Sequence, residues 1–68
     1  MKRISINTEY IKLDQFMKWA DMVPTGTEAK IFINDGSVKV NGEVETRRGK
    51  KLRKNDIIEF NGFKFIIE

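Results

Sequence analysis

Residues 25–42 read TGTEAKIFINDGSVKVNG, and they hold a helix, its two ends and the first half of a hairpin. Thr25 with Glu28 forms a capping box: the threonine hydroxyl can accept from the Glu28 amide while the carboxylate reaches back to the Thr25 amide. Ala29, Phe32 and Ile33 then make an apolar face, and Gly36 stands where a helix end needs a left-handed residue. After Gly36 the period drops to two, with Val38 and Val40 flanking Lys39. Asn41-Gly42 follows, and this pair favours the positive φ angles of a type I′ turn, so Glu43-Val44-Glu45 is expected to return as the second strand.

Upstream, Leu13, Phe16, Met17 and Ala20 fall at i, i+3, i+4 and i+7, with Asp14, Lys18 and Asp21 on the other side. The spacing predicts an amphipathic helix of about ten residues, stopped ahead of Pro24 because proline pushes the residue before it out of the helical region. Residues 3–6 alternate polar and apolar and suit a short strand at a sheet edge. Downstream, Asn55-Asp56 reads as a turn, and Asn61-Gly62 joins Ile57-Ile58-Glu59-Phe60 to Phe63-Lys64-Phe65-Ile66-Ile67 as another hairpin, with Phe63 and Phe65 assigned to the core. The fold class is α+β: two short helices packed on a small antiparallel sheet, in a single domain spanning residues 1–68.

Composition excludes several chemistries. The 68 residues contain no cysteine and no histidine, which removes disulfides, thiol nucleophiles, the usual general base and the commonest metal ligand. Serines and threonines have no histidine to activate them, and Gly49-Lys50 lacks the upstream glycine of a phosphate-binding loop. No enzyme, cofactor or metal is expected. No apolar run approaches the length of a membrane span and Met1-Lys2-Arg3 does not open a signal peptide, so a cytoplasmic location is expected.

The net charge of +3 conceals an asymmetry. Residues 1–45 carry six basic and seven acidic side chains, and residues 55–68 one basic and three acidic. Between them TRRGKKLRK, residues 46–54, carries Arg47, Arg48, Lys50, Lys51, Arg53 and Lys54 with no acid at all. Charges of one sign packed this closely repel each other and favour a polyanionic partner. Arg47, Arg48, Lys50 and Lys51 follow the hairpin directly; Lys30 lies about 100° around its helix from Ala29 and reaches solvent. Free amides at Gly26 and Thr27 suit a phosphate, although Glu28 competes for that place. Lys12, Gln15 and Trp19 share one flank of the first helix. Trp19 could stack on an exposed base, but its position beside Phe16 in so small a domain assigns it to the edge of the core. Glu43 and Glu45, on one face of a strand beside arginines, are expected to form salt bridges.

From Lys12 to Ile57 the chain resembles the S-four RNA-binding domain, or alpha-L motif, named after small-subunit ribosomal protein four. The resemblance rests on Lys12-Leu13-Asp14, the capping Thr25, Ala29, Phe32-Ile33, Gly36, Val38, Val40-Asn41-Gly42, and Asp56 followed by Ile57 and Ile58. Thr-Gly-x-Glu-Ala-Lys and Val-Glu-Thr-Arg-Arg-Gly-Lys-Lys-Leu look most like the stand-alone bacterial YaaA-like subgroup. The resemblance implies a monomeric, non-catalytic module that binds structured RNA, ribosomal or transfer RNA, or ribosomal particles. Its expected contacts are Lys12, Thr25, Gly26, Lys30, Arg47, Arg48, Lys50 and Lys51. Two positions depart from the family pattern: Gly26 replaces the basic residue after the capping threonine, with Lys30 one turn along, and Asn55 replaces a glycine. An adaptor that binds an acidic protein surface through residues 47–54 is the alternative.

Overall fold

The computed structural model describes all of residues 1–68. Its elements are β1 (Lys2–Ile4), β2 (Ile11–Lys12), α1 (Leu13–Trp19), α2 (Gly26–Asn34), β3 (Val38–Val40), β4 (Glu43–Val44), β5 (Lys51–Leu52), β6 (Ile57–Phe60) and β7 (Phe63–Ile67). Five strands form one sheet in the order β1-β7-β6-β3-β4, and β2 pairs with β5 in a separate two-stranded ribbon.

The helices form where the apolar spacing predicts them, and both end in the same way. In α2 the Thr25 hydroxyl accepts from the Glu28 amide at 3.2 Å, while the return bond of the capping box is not made. At its far end Gly36 (φ 84°) is left-handed, its amide bonds the Ile33 carbonyl, and the Ser37 amide bonds the Phe32 carbonyl. This double closure satisfies carbonyls that the helix leaves open. α1 closes identically, with the Asp21 amide on Lys18 and the Met22 amide on Met17, but the left-handed residue is Asp21 (φ 60°). The helix is therefore seven residues long rather than about ten, and its terminator is Asp21, three residues ahead of Pro24. Aspartate tolerates the left-handed region better than most residues, which makes the stop possible without glycine.

Asn41-Gly42 and Asn61-Gly62 all have positive φ and close the two hairpins as the sequence predicts. β1 joins the sheet at an edge, but it runs parallel to β7, pairing Lys2 with Phe65 and Ile4 with Ile67, so the sheet is mixed rather than wholly antiparallel. The Glu68 amide on the Ile4 carbonyl and the Ser5 hydroxyl on the Glu68 carboxylate extend that seam.

Twelve apolar residues and no polar ones are buried. Leu13, Phe16, Met17, Val23, Ala29 and Ile33 come from the helical layer, Val38, Val40, Ile58, Phe65 and Ile67 from one face of the sheet, and Leu52 from the ribbon. Phe63 is not among them. It follows the Asn61-Gly62 turn at the end of the sheet and is 55% exposed, with the Lys2 ammonium 5.5 Å from its ring. Trp19 likewise lies outside the core, at 62% exposed.

One polar network ties the hairpin turn to the last strands. The Asn41 side chain accepts from the Ile57 amide (2.9 Å) and donates to Asp56 (3.1 Å), and Asp56 accepts from the Arg53 amide (2.8 Å). Asn41→Gly keeps the positive φ, deletes these bonds and loosens the unfolded chain, and it should lower unfolding free energy in urea by about 1–2 kcal/mol. An unchanged midpoint would mean that the turn conformation alone holds this corner.

Candidate nucleic-acid interface

The basic segment runs from the connection between β4 and β5 through β5 itself, and the backbone of its turn is pinned to the start of α1. A turn with Arg48 and Gly49 at its centre is closed by the Lys50 amide on the Arg47 carbonyl at 3.1 Å. The Leu13 amide donates to the Lys50 carbonyl (2.9 Å) and the Asp14 amide to the Arg48 carbonyl (3.1 Å). First-turn amides have no partner within their own helix, and Lys12 at the N-cap offers no side-chain bond. The loop supplies carbonyls in place of a capping side chain.

Strand pairing completes the juxtaposition. In the β2–β5 ribbon Ile11 pairs with Leu52, which is fully buried, and Lys12 pairs directly with Lys51. Two ammonium-bearing side chains opposite each other on an antiparallel pair are destabilising in the free protein. Lys12 and Lys51, 39 positions apart, thus meet beside the turn that carries Arg48 and Lys50. The side chains of Lys12, Arg48 and Lys50 have no ion pair within the chain.

Arg47 differs. Its Nε donates to Glu45 Oε2 (3.0 Å), a terminal guanidinium nitrogen donates to Oε1 (3.1 Å), and its amide also reaches Oε2. The fork holds the Glu45 carboxyl below its ordinary value, chiefly through the side-chain hydrogen bond and against an opposing push from burial, and it raises Arg47. Glu45 forms the expected salt bridge, whereas Glu43 forms none.

Thr25, Gly26 and Lys30 lie apart in the bonding pattern. Thr25 spends its acceptor on the α2 cap, Gly26 is the first helical residue, and Lys30 is exposed on α2; no hydrogen bond, ion pair or strand pairing ties them to the loop. Space around Gly26 is open, with no atom within 4 Å of where a Cβ would stand.

Sequence reasoning missed Tyr10. The Lys51 ammonium lies 4.9 Å from its ring centre and the Arg53 guanidinium 5.7 Å, within cation–π range. The alternation Lys51-Leu52-Arg53 signals two cations on one side of a strand, but only the β2–β5 pairing brings an aromatic residue to them.

A mixed β layer under two short helices, with a cationic loop sewn to the first helix, presents a surface suited to a polyanion. The family model of the S4 domain matches residues 4–68, and the chain belongs to that family. It is 48% identical over 60 residues to the "Probable ribosome maturation protein RlbA" of Bacillus subtilis, covering 88% of this chain and 84% of that one. It is 36% identical over 53 residues to the "Putative RNA-binding protein YbcJ" of Escherichia coli, covering 78% and 76%. The solution structure of YbcJ, described as revealing an alfaL motif involved in RNA-binding, matches 98% of this chain and 86% of its own with a TM-score of 0.75 at 31% identity. The 30S ribosomal protein S4e of Thermoplasma acidophilum shares the fold over 85% of this chain and 31% of its own, with a TM-score of 0.63 at 22% identity.

The Glu45–Arg47 fork has a pH signature. A carboxyl whose folded pKa is depressed contributes stability that is fully present above its unfolded value and is lost as pH falls through the lowered one. Melting temperature should therefore drop more steeply below pH 4.5 in the native chain than in Glu45→Gln. Parallel melting curves for the two across that range would show that the fork contributes nothing.

Proposed function

We propose that this chain is a non-catalytic RNA-binding module that docks on structured RNA of the ribosome through the face built by Lys12, Arg48, Lys50 and Lys51. The observation that carries the reading is the direct pairing of Lys12 with Lys51. A fold that places like charges opposite each other, beside a turn bearing two more cations, gains favourable energy when a polyanion arrives. The names borne by the relatives, RNA-binding protein and ribosome maturation protein, support the same partner. The four cations would sit on phosphates, with the guanidinium of Arg48 able to fork onto one or stack on an unpaired base.

Arg47 takes a secondary part in this reading, because its guanidinium is already forked on Glu45. Thr25, Gly26 and Lys30 form a second contact at the start of α2, weakened because position 26 carries no cationic side chain. The whole of residues 1–68 acts as one unit, as a monomer, in the cytoplasm; no helix is long and apolar enough to cross a membrane.

Binding to ribosomal RNA or ribosomal particles, followed against salt, tests the proposal. Neutralising about five phosphates, four at this face and one at Lys30, gives a slope of roughly −3.5 to −4.5 in log K against log salt. Lys12→Gln should reduce that slope by about one while leaving the melting temperature unchanged or slightly higher, since it relieves the repulsion from Lys51. Salt-insensitive binding, or ribonuclease-resistant capture of an acidic protein, would replace this reading with the adaptor.

Gly26→Arg supplies the opposite test. The open space and ordinary backbone at position 26 accommodate the side chain, so RNA affinity should rise severalfold with no loss of melting temperature. Unchanged affinity would remove the start of α2 from the interface.

A further inference from the structure

We propose that the groove between Tyr10 and Trp19 holds an unpaired nucleobase of the bound RNA, stacked on the Trp19 indole. The proposal rests on the RNA-binding reading and adds to it a site for a single-stranded nucleotide next to the phosphate-binding cations.

Trp19 is the starting point. It terminates a helix whose Leu13, Phe16 and Met17 are completely buried, yet it is 62% exposed. A need for water at its polar atom does not explain this, because the indole N–H already donates to the Ser5 carbonyl at 3.0 Å. That bond anchors the ring to the segment after β1 and limits its rotation, so the ordering cost of a stacking platform is met largely on folding.

The groove beside the ring has the size and lining for one planar group. It encloses about 220 Å³, below the range typical of drug-sized ligand pockets. Ile6, Ile11 and Tyr10 contribute apolar surface, and Asn7 and Gln15 border it. Neither the Asn7 nor the Gln15 side-chain amide has a hydrogen-bond partner within the chain. Each offers both a donor and an acceptor, the combination that the edge of a base requires.

Charge selects the occupant. Tyr10 lines the groove and also carries Lys51 and Arg53 against its ring, at 4.9 and 5.7 Å. A nucleotide with its base on Trp19 therefore has two cations within reach of its phosphate, and through Lys51 it is continuous with Lys12 and the basic turn. An aromatic platform alongside a cationic track is the physical arrangement that binds single strands without sequence readout. An apolar peptide segment would meet the same two cations unpaired.

Trp19 is the only tryptophan, so its fluorescence reports directly on the site. The native chain is titrated at low salt with an RNA hairpin bearing a short single-stranded tail, and with the same hairpin made blunt. The tailed hairpin should quench the indole strongly and the blunt one weakly. Trp19→Ala should weaken binding to the tailed hairpin by roughly 5- to 150-fold and leave the blunt one unchanged. Gln15→Ala, which breaks no bond within the chain, should weaken the tailed hairpin alone by a smaller factor. Equal quenching by both RNAs, or equal losses for both in Trp19→Ala, would overturn the groove while leaving salt-dependent RNA binding in place. Quenching by an acidic peptide in preference to the tail would also overturn it, and failure to bind either RNA would overturn both readings.

Discussion

Two backbone hydrogen bonds, from the first amides of α1 to the carbonyls of Lys50 and Arg48, organise this small protein. A helix start leaves donors without partners, and here the chain that satisfies them is the most basic stretch of the sequence. Because the contact uses main-chain carbonyls, it leaves the side chains of Arg48, which is exposed, and Lys50, which is half-exposed, out of the pinning. Leu52, buried immediately downstream, holds the other end of the loop in the core. Between these anchors the register of β2 on β5 admits little slippage, since a one-residue shift would turn Leu52 outward and a lysine inward.

That register has an electrostatic cost. Lys12 opposes Lys51 on the ribbon, and the neighbouring turn adds further cations. Against this the fold sets local compensations: Glu45 forks onto Arg47, and the Tyr10 ring offers its face to Lys51 and Arg53. These compensations fall on Arg47, Lys51 and Arg53, and Lys12, Arg48 and Lys50 are left without an ion pair. Rigid backbone under unpaired cations is the arrangement expected of a surface shaped for an anionic backbone.

Much of this was legible in the sequence, and what was not has identifiable physical causes. Gly36, Asn41-Gly42 and Asn61-Gly62 announce their conformations because few residues adopt positive φ without cost. Asp21 gives no such announcement, since aspartate occupies left-handed and ordinary backbone alike, so Pro24 was the visible stop and the wrong one. Phe63 has the parity of Phe65 and Ile67, but parity says nothing about how far along a strand the cover extends, and Phe63 is 55% exposed. The same limit applies to Trp19, whose indole is drawn away from the core by the Ser5 carbonyl, a partner 14 residues earlier. The parallel seam of β1 with β7 joins the two ends of the chain, and no local pattern records it.

Sequence alone determined the two helices, the two Asn-Gly hairpins, the apolar face of each helix and the concentration of positive charge in residues 46–54. These depend on interactions within a few residues: caps, turn dihedrals and periodicity. Only the tertiary structure decided which cations stand together. It joined Lys12 to Lys51, left Lys30 without a tie to the loop and set Tyr10 against Lys51 and Arg53. The reason is that a charge run specifies side-chain chemistry but no direction, and direction here comes from backbone bonds between segments more than thirty residues apart.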